Sequence, residues 1–101
     1  MNVTIPDSVR DIKSSAFQNC TNLTNVAIPD GVTSIWDMAF YGCSGLKSVT
    51  IPNDVTSIGH SAFAGCSELT SVTFLGKTLE QVQAMDNYPW GISNTSIINV
   101  A

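Results

Sequence analysis

The chain has 101 residues, the size of one domain, and its 8 acidic against 4 basic residues give a net charge of −4. A negative chain argues against nucleic acid or an anionic membrane surface as the partner. No run of eighteen apolar residues is present, so no segment is predicted to span a membrane, and the opening letters MNVTIP lack the basic and apolar regions of a signal peptide.

The first predicted element is also the start of a repeat. A Val-x-Ile sequence begins at Val3 and recurs at Val26 and Val49, and Val-x-Phe begins at Val72, always at the same interval. Pro, Val, Ile, Ala-Phe, Cys and Leu positions follow at that interval in three copies. We therefore predict three 23-residue repeats over residues 1–75. Their strands are expected near residues 3–5, 26–28, 49–51 and 72–74.

Each repeat is predicted to form a short strand, a turn and a short helical turn, in that order. Alternation in Val-x-Ile places both apolar side chains on one face of a strand, and the Pro-Asp or Pro-Asn pair that follows favours a turn. Ser14 and Asp37 are good N-cap residues, so a short helical turn is predicted to begin near each of them. Asn19, Gly42 and Gly65 tolerate the left-handed conformation that ends a helix.

One such unit cannot bury its own apolar face, so the units are expected to stack. Stacking places the Val-x-Ile strands side by side in a parallel sheet, about 4.8 Å apart. Phe17, Phe40 and Phe63 then form a column beneath the opposite wall. The predicted fold class is a solenoid of short parallel β-strands, with short helical turns on its convex side.

The spacing C-x-x-L-x-x-V-x-I-P-x-x-V-x-x-I-x-x-x-A-F, present over residues 1 to about 75, resembles the BspA-type leucine-rich repeat. The tail resembles the closing segment that often follows such arrays. The resemblance implies a leucine-rich-repeat solenoid, typically part of a larger cell-surface or secreted protein used in adhesion or protein binding. It also implies that the exposed face of the sheet is the usual binding surface. Residue-level binding sites are not shared across that family, so none is carried over.

After the fourth strand the repeat stops, and residues 76–101 are predicted to form a C-terminal cap. Apolar residues return every third position from Leu79 to Met85 among strong helix formers, which predicts an amphipathic helix near 78–86. The letters SIINVA predict a final strand near 96–100.

The N-terminus has no comparable cover, since strand residues begin directly after Met1. An uncovered strand edge favours pairing with another strand. Either the chain is a piece of a longer array, which we favour, or this edge meets a second copy.

Few residues are candidates for chemistry. Cys20, Cys43 and Cys66 return at the repeat step, so they are expected to point into the stack, and no C-x-x-C pair suggests a zinc site. His60 occupies the outer position of Ser14, which keeps it away from the cysteines. Neither paired carboxylates nor a Gly-rich phosphate loop is present. We expect no catalytic site, metal or cofactor, and an aligned Cys–His pair would revive the enzyme alternative.

Two surfaces remain as candidate sites for a protein ligand. The first is the sheet face, where alternation turns small and uncharged side chains outward. Its candidate residues are Asn25, Ser48, Thr50, Ser71 and Thr73.

The second candidate is an apolar patch of Trp36, Met38 and Tyr41 on the convex side. The other two repeats hold Lys, Ser and Gln, or Gly, Ser and Ala, at these positions. Exposed apolar clusters commonly mark contacts. This convex patch is a candidate surface for a partner, for another copy or for a neighbouring segment, unless the cap around Trp90 covers it. The alternative function is a structural spacer that positions another domain of a larger protein.

Overall fold

The computed structural model describes residues 2–101. Met1, the first residue of the segment considered above for a signal peptide, lies outside the described residues. Within these residues the chain forms eight short strands, one α-helix and one 3₁₀ turn. In chain order the strands are β1 (Asn2–Thr4), β2 (Asp11–Ile12), β3 (Asn25–Ala27), β4 (Ser34–Ile35), β5 (Ser48–Ile51), β6 (Ser57–Ile58), β7 (Ser71–Phe74) and β8 (Ile98–Val100). Helix α1 covers Leu79–Gln83, and the 3₁₀ turn covers Thr95–Ile97.

The strands form two parallel sheets, one in the order β1-β3-β5-β7-β8 and one in the order β2-β4-β6. In the larger sheet Val3 pairs with Val26, Val26 with Val49 and Val49 with Val72, so each strand pairs with the equivalent strand of the next repeat. The predicted solenoid fold is therefore confirmed. We call residues 2–24, 25–47 and 48–70 coils 1, 2 and 3.

The smaller sheet adds a second hydrogen-bonded wall to each coil. The Val-x-x-Ile spacing indicates two inward side chains there, and the structure makes the Ile part of a two-residue strand. Ile12 pairs with Ile35, and Ile35 pairs with Ile58. All three isoleucines are buried, which fixes the register of this sheet because a slip would expose them.

The convex segments, residues 13–20, 36–43 and 59–66, are chains of single turns rather than continuous helices. Ser15, Met38 and Ser61 have φ angles of 60°, 57° and 57°, and this left-handed conformation interrupts any helix. The backbone groups released in this way bond to the next coil instead. Ser15 N–H donates to Asp37 O at 3.1 Å, and Met38 N–H donates to His60 O at 3.0 Å.

The core contains the predicted phenylalanine column. The rings of Phe17 and Phe40 stack at 5.2 Å between centroids, and those of Phe40 and Phe63 stack at 5.5 Å, with interplanar angles of 6° and 1°. Phe40 and Phe63 are buried, whereas Phe17, at the N-terminal end of the column, is half-buried. The column joins the three coils through apolar contact as well as through backbone bonds.

The C-terminal segment begins with a helix that is shorter than the one expected near 78–86. Helix α1 starts at a capping box, in which Thr78 Oγ1 accepts from Gln81 N–H at 3.2 Å and Thr78 N–H donates to Gln81 Oε1 at 2.8 Å. Of the expected apolar stripe, Val82 is buried while Leu79 is exposed. The helix ends because Met85 N–H bonds to Val82 O, a tighter step than that of an α-helix, and the chain then turns at Asn87 with φ 66°.

The same segment completes a fourth, modified turn of the solenoid. Val72 pairs with Ile98, so this turn is slightly longer than a regular repeat. Phe63 N–H donates to Trp90 O at 3.0 Å, in the same way that Phe40 N–H donates to Ala62 O at 2.9 Å. Trp90 therefore takes the place that the next alanine would occupy in a fourth regular coil.

Candidate interaction surfaces

The convex patch lies on one convex segment whose backbone is held by both neighbouring coils. Trp36 N–H donates to Ile12 O of coil 1 at 2.8 Å, and Met38 N–H bonds to coil 3 as described above. Trp36 is 46% exposed and Tyr41 37% exposed, whereas Met38 is half-buried. The structure thus holds two aromatic side chains in contact with solvent on a fixed backbone.

Trp36 is oriented by charged residues of coil 1. Its indole Nε1–H donates to Asp11 Oδ1 at 3.4 Å, and Lys13 Nζ lies 4.6 Å from the centre of the ring. Lys13 also lies 3.9 Å from Asp11 Oδ2. These contacts are at the surface and each contributes little energy. They fix the direction of the ring while leaving almost half of the residue exposed.

Trp90, in the C-terminal cap, does not cover the convex patch. Trp90 is buried against Phe74 and Tyr88, at ring-centre distances of 5.4 Å and 5.2 Å. Its Nε1–H donates to Asp86 O at 3.0 Å. Trp90 belongs to the core of the cap, and Trp36 remains exposed.

Met38 occupies a position that is unfavourable for its residue type. Its φ of 57° is left-handed, where a non-glycine residue costs about 1–2 kcal/mol. The equivalent residues Ser15 and Ser61 have the same conformation but a short polar side chain. The sequence alone gives no sign of this conformation, because it arises from bonds between coils.

The sheet face is polar and bonded within itself. Asn25, Ser48 and Thr50 are exposed, while Ser71 and Thr73 are half-buried. Ser48 Oγ donates to Asn25 Oδ1 at 3.4 Å, and the hydroxyls of Ser71 and Thr73 lie 3.4 Å apart. Four of these five side chains, all but Thr50, therefore already have a hydrogen-bond partner on this face.

Asn99 and Asn87 belong to these surfaces and were not predicted from the sequence. Asn99, on β8, extends the sheet face by donating from Nδ2 to Ser71 Oγ at 3.3 Å. Asn87 lines a groove of about 250 Å³ together with Trp36, Asp37 and other residues of coils 2 and 3. Its Nδ2 donates to Ile58 O at 3.3 Å, a bond that depends on the irregular path of the cap.

The cysteines and the histidine do not form a reactive pair. Cys43 Sγ donates to Phe17 O at 3.0 Å, and Cys66 Sγ donates to Phe40 O at 3.2 Å. Burial raises the pKa of the Cys43 thiol. The pKa of the Cys66 thiol is raised from 9.0 to about 12, mainly by burial and to a smaller extent by the charge interaction with the nearby Cys43. Both thiols are therefore protonated at neutral pH, which makes them poor nucleophiles.

His60 is exposed, and its Nδ1 lies 3.0 Å from Ser61 Oγ rather than from a thiol. In residues 2–101 no group of three His, Cys, Asp or Glu residues is placed to hold a metal ion. The described part of the chain also has no helix of the length and apolar character needed to cross a membrane.

Comparison with known proteins agrees with this geometry. A family model described as BspA type leucine rich repeat region (6 copies) matches residues 1–99. The crystal structure of a leucine rich cell surface protein from Faecalibacterium prausnitzii A2-165 is similar with a TM-score of 0.70 and 40% identity, covering 72% of this chain and 19% of that chain. A leucine-rich repeat protein from Bacteroides ovatus ATCC 8483 has the same fold, with a TM-score of 0.70 and 22% identity over 99% of this chain and 30% of that chain. No curated protein matches the sequence.

The parallel coils and the repeat spacing define a leucine-rich-repeat solenoid. The chain belongs to the BspA-type leucine-rich repeat family. It spans 19% and 30% of the lengths of the two solved proteins, so it corresponds to a repeat module of such proteins.

Proposed function

We propose that this chain is a protein-binding module, without catalytic activity, of a cell-surface or secreted leucine-rich repeat protein. The location is inferred from the family and from the name of the Faecalibacterium protein. The observation that carries the binding proposal is the exposure of Trp36 and Tyr41 on one convex segment. Trp and Tyr are enriched among the few residues that carry most of the binding energy in protein interfaces.

Met38 supports the same surface. Met38 lies between Trp36 and Tyr41 on the same convex segment, and its side chain is half-buried. Methionine is also a flexible apolar side chain that adapts to different partners. Together the three residues offer an apolar centre, and Asp11 and Lys13 provide charged groups at its edge.

The sheet face is the second candidate and the weaker one. Its exposed residues are small, and they lack the Trp, Tyr and Arg side chains that usually anchor an interface. Binding by such a face would gain strength from repetition along a longer array. The structural spacer remains the alternative if neither surface binds.

A matched pair of double variants tests the proposal. Trp36→Lys with Tyr41→Gln changes the convex patch, and Ser48→Lys with Thr50→Gln makes the same additions on the sheet face. Each chain is displayed on beads, to gain avidity, and is assayed against immobilised collagen, laminin and fibronectin. Circular dichroism first confirms that both variants are folded.

We expect binding to at least one of these proteins that is lost in the convex variant and retained in the sheet variant. Loss in the sheet variant alone would move the site to the sheet face. Absence of binding by the unmodified chain to every matrix protein would favour the spacer.

A further inference from the structure

The groove beside Trp36 is lined by polar and acidic groups. It has a volume of about 250 Å³, and residues of coil 2, residues of coil 3 and Asn87 of the cap form its walls. Among the described residues that line it, Asp37 is the one charged residue. All of them fall between residues 34 and 87, so neither end of the chain forms part of the groove. We call it the Trp36 groove.

The two faces of the Trp36 ring have different neighbours. Lys13, Trp36 and Gly59 occupy equivalent positions in coils 1, 2 and 3. On the coil 1 side, Lys13 Nζ lies 4.6 Å from the centre of the ring. On the coil 3 side, Gly59 has no side chain, and a Cβ added there would clash with backbone atoms of Trp36 and Asp37. The coil 3 side of the ring therefore borders the groove without a side chain of the next coil to cover it.

Two oxygen atoms of the lining are placed to accept hydrogen bonds. Asp37 Oδ1 accepts from His60 N–H at 2.8 Å, which holds the carboxylate in place, and in residues 2–101 the other oxygen, Oδ2, has no hydrogen-bond partner. Asn87 Nδ2 donates to Ile58 O at 3.3 Å, which leaves the amide oxygen Oδ1 as an acceptor. The groove thus combines an aromatic ring with a carboxylate and an amide oxygen.

The other face of the ring already shows how this surface holds a cation. Lys13 lies over the ring, and Asp11 Oδ2 lies 3.9 Å from its ammonium group and balances the charge. The Trp36 groove offers the same combination on the coil 3 side, with Asp37 in the role of Asp11 and with no cation of this chain in its lining.

A guanidinium group matches this combination best. It is planar, it stacks on aromatic faces, and it donates several N–H groups in fixed directions to carboxylate and amide oxygens. A lysine ammonium group carries the charge but has no flat face to stack. A neutral sugar ring would stack on the tryptophan but would leave the charge of Asp37 unbalanced. The net charge of −4 also attracts a cation rather than an anion.

We propose that the Trp36 groove binds an arginine side chain of the protein partner. The guanidinium group stacks on the coil 3 side of the Trp36 ring and donates to Asp37 Oδ2 and Asn87 Oδ1. This inference rests on the proposed binding function and names the group that the convex patch recognises.

An NMR titration of the ¹⁵N-labelled chain tests this inference. The probe is the blocked peptide Gly-Gly-Arg-Gly-Gly, added to roughly 50 mM because a single surface-bound side chain is expected to bind in the millimolar range. We expect saturable shifts of the indole N–H of Trp36, the amide N–H of Gly59 and the side-chain amide of Asn87. Signals of the sheet face, such as Thr50 N–H, should not move. Peptides with citrulline or lysine in place of arginine should bind at least about threefold more weakly.

A matched pair of variants locates the charge that binds the peptide. Asp37→Asn removes the charge and keeps an oxygen that accepts from His60 N–H, and it should weaken binding of the arginine peptide about threefold or more. Asp54→Asn makes the same change of net charge at an exposed turn outside the groove and should leave binding unchanged. The spectrum of each variant shows whether it is folded.

Several outcomes would overturn the inference. An absence of saturable shifts at Trp36 and Gly59 would do so, as would equal affinity for the arginine and citrulline peptides. Equal weakening by the two variants would show that only the overall charge matters. Methyl β-glucopyranoside is titrated in parallel, and tighter binding of this sugar would assign the groove to carbohydrate instead.

The titration and the bead assay fail independently of each other. A chain that binds a matrix protein through the convex patch but does not bind the arginine peptide keeps the proposed function and refutes this inference. Specific arginine binding without binding to any matrix protein does the reverse.

Discussion

Phe40 is the residue whose truncation should most affect the stability of the solenoid. It is 0% exposed, and its ring stacks on both faces, at 5.2 Å on Phe17 and 5.5 Å on Phe63. Removing a buried phenylalanine leaves a cavity that neighbouring coils, held by backbone bonds, cannot close. We therefore expect Phe40→Ala to lower the free energy of unfolding by about 3–5 kcal/mol.

Phe17→Ala provides a comparison within the same column. Phe17 is half-buried and stacks on one neighbour, so its truncation should cost about 2 kcal/mol. The order of the two losses, and not only their size, follows from the deeper burial of Phe40 and from its second stacking partner. If Phe40→Ala leaves the chain unfolded, Phe40→Leu keeps most of the volume and should cost about 1–2 kcal/mol.

Urea denaturation followed by circular dichroism measures these differences. Tryptophan fluorescence, to which the buried Trp90 and the exposed Trp36 both contribute, gives a second probe, and coincident curves confirm a single transition. A loss below about 1 kcal/mol for Phe40→Ala would contradict the stacked core. So would equal losses at Phe17 and Phe40, since they would place both rings in the same environment.

Three further predictions use other positions. Gly59→Ala should lower the free energy of unfolding by about 2 kcal/mol or more, because the added Cβ would lie 2.6 Å from the carbonyl carbon of Trp36. At Gly31 the atom nearest to an added Cβ is the end of a flexible arginine side chain, so Gly31→Ala should be almost neutral. Thermal melts compare the two variants. Met38→Asn should raise the free energy of unfolding by up to about 1 kcal/mol, because asparagine accepts a left-handed φ. A decrease of that size would show instead that the methionine side chain packs within the fold. The pKa of Cys66, raised from 9.0 to about 12, stabilises the folded chain below pH 9, and this contribution is lost as the pH rises from 9 toward 12. Cys66→Ala should therefore flatten the fall in stability over that range, and an unchanged pH profile would contradict the assignment.

Much of the fold follows from the repeat because every regular coil places the same residue type at the same point. The register of Val26 on Val49 and the stacking of Phe17 on Phe40 are both consequences of the constant repeat length. The contact of Lys13 with Trp36 has the same origin, since these residues occupy equivalent positions in adjacent coils. The exposure of Trp36 was predicted in the same way.

The features that could not be predicted depend on bonds between coils or on the irregular cap. Ser14 is a good helix N-cap by type, but the neighbouring Ser15 turns left-handed so that its N–H reaches coil 2, and no continuous helix forms. Leu79 has the spacing of a buried helix residue, yet α1 is too short to bury two successive turns. Trp90 lies in a turn and is nevertheless fully buried, because its ring packs against Phe74 and Tyr88 in the cap.

The cap meets coil 3 through the same kinds of bond by which one coil meets another, with the Asn87 amide and the Trp90 carbonyl as substitutes for backbone groups of a regular coil. A duplicated repeat inserted before the cap would therefore find a matching surface on each side. The gene of a protein built in this way can gain or lose whole repeats without any compensating substitution. Each added repeat would contribute a similar increment to the free energy of unfolding. The number of coils is then free to vary by tandem duplication, while the segment that follows coil 3 stays unchanged.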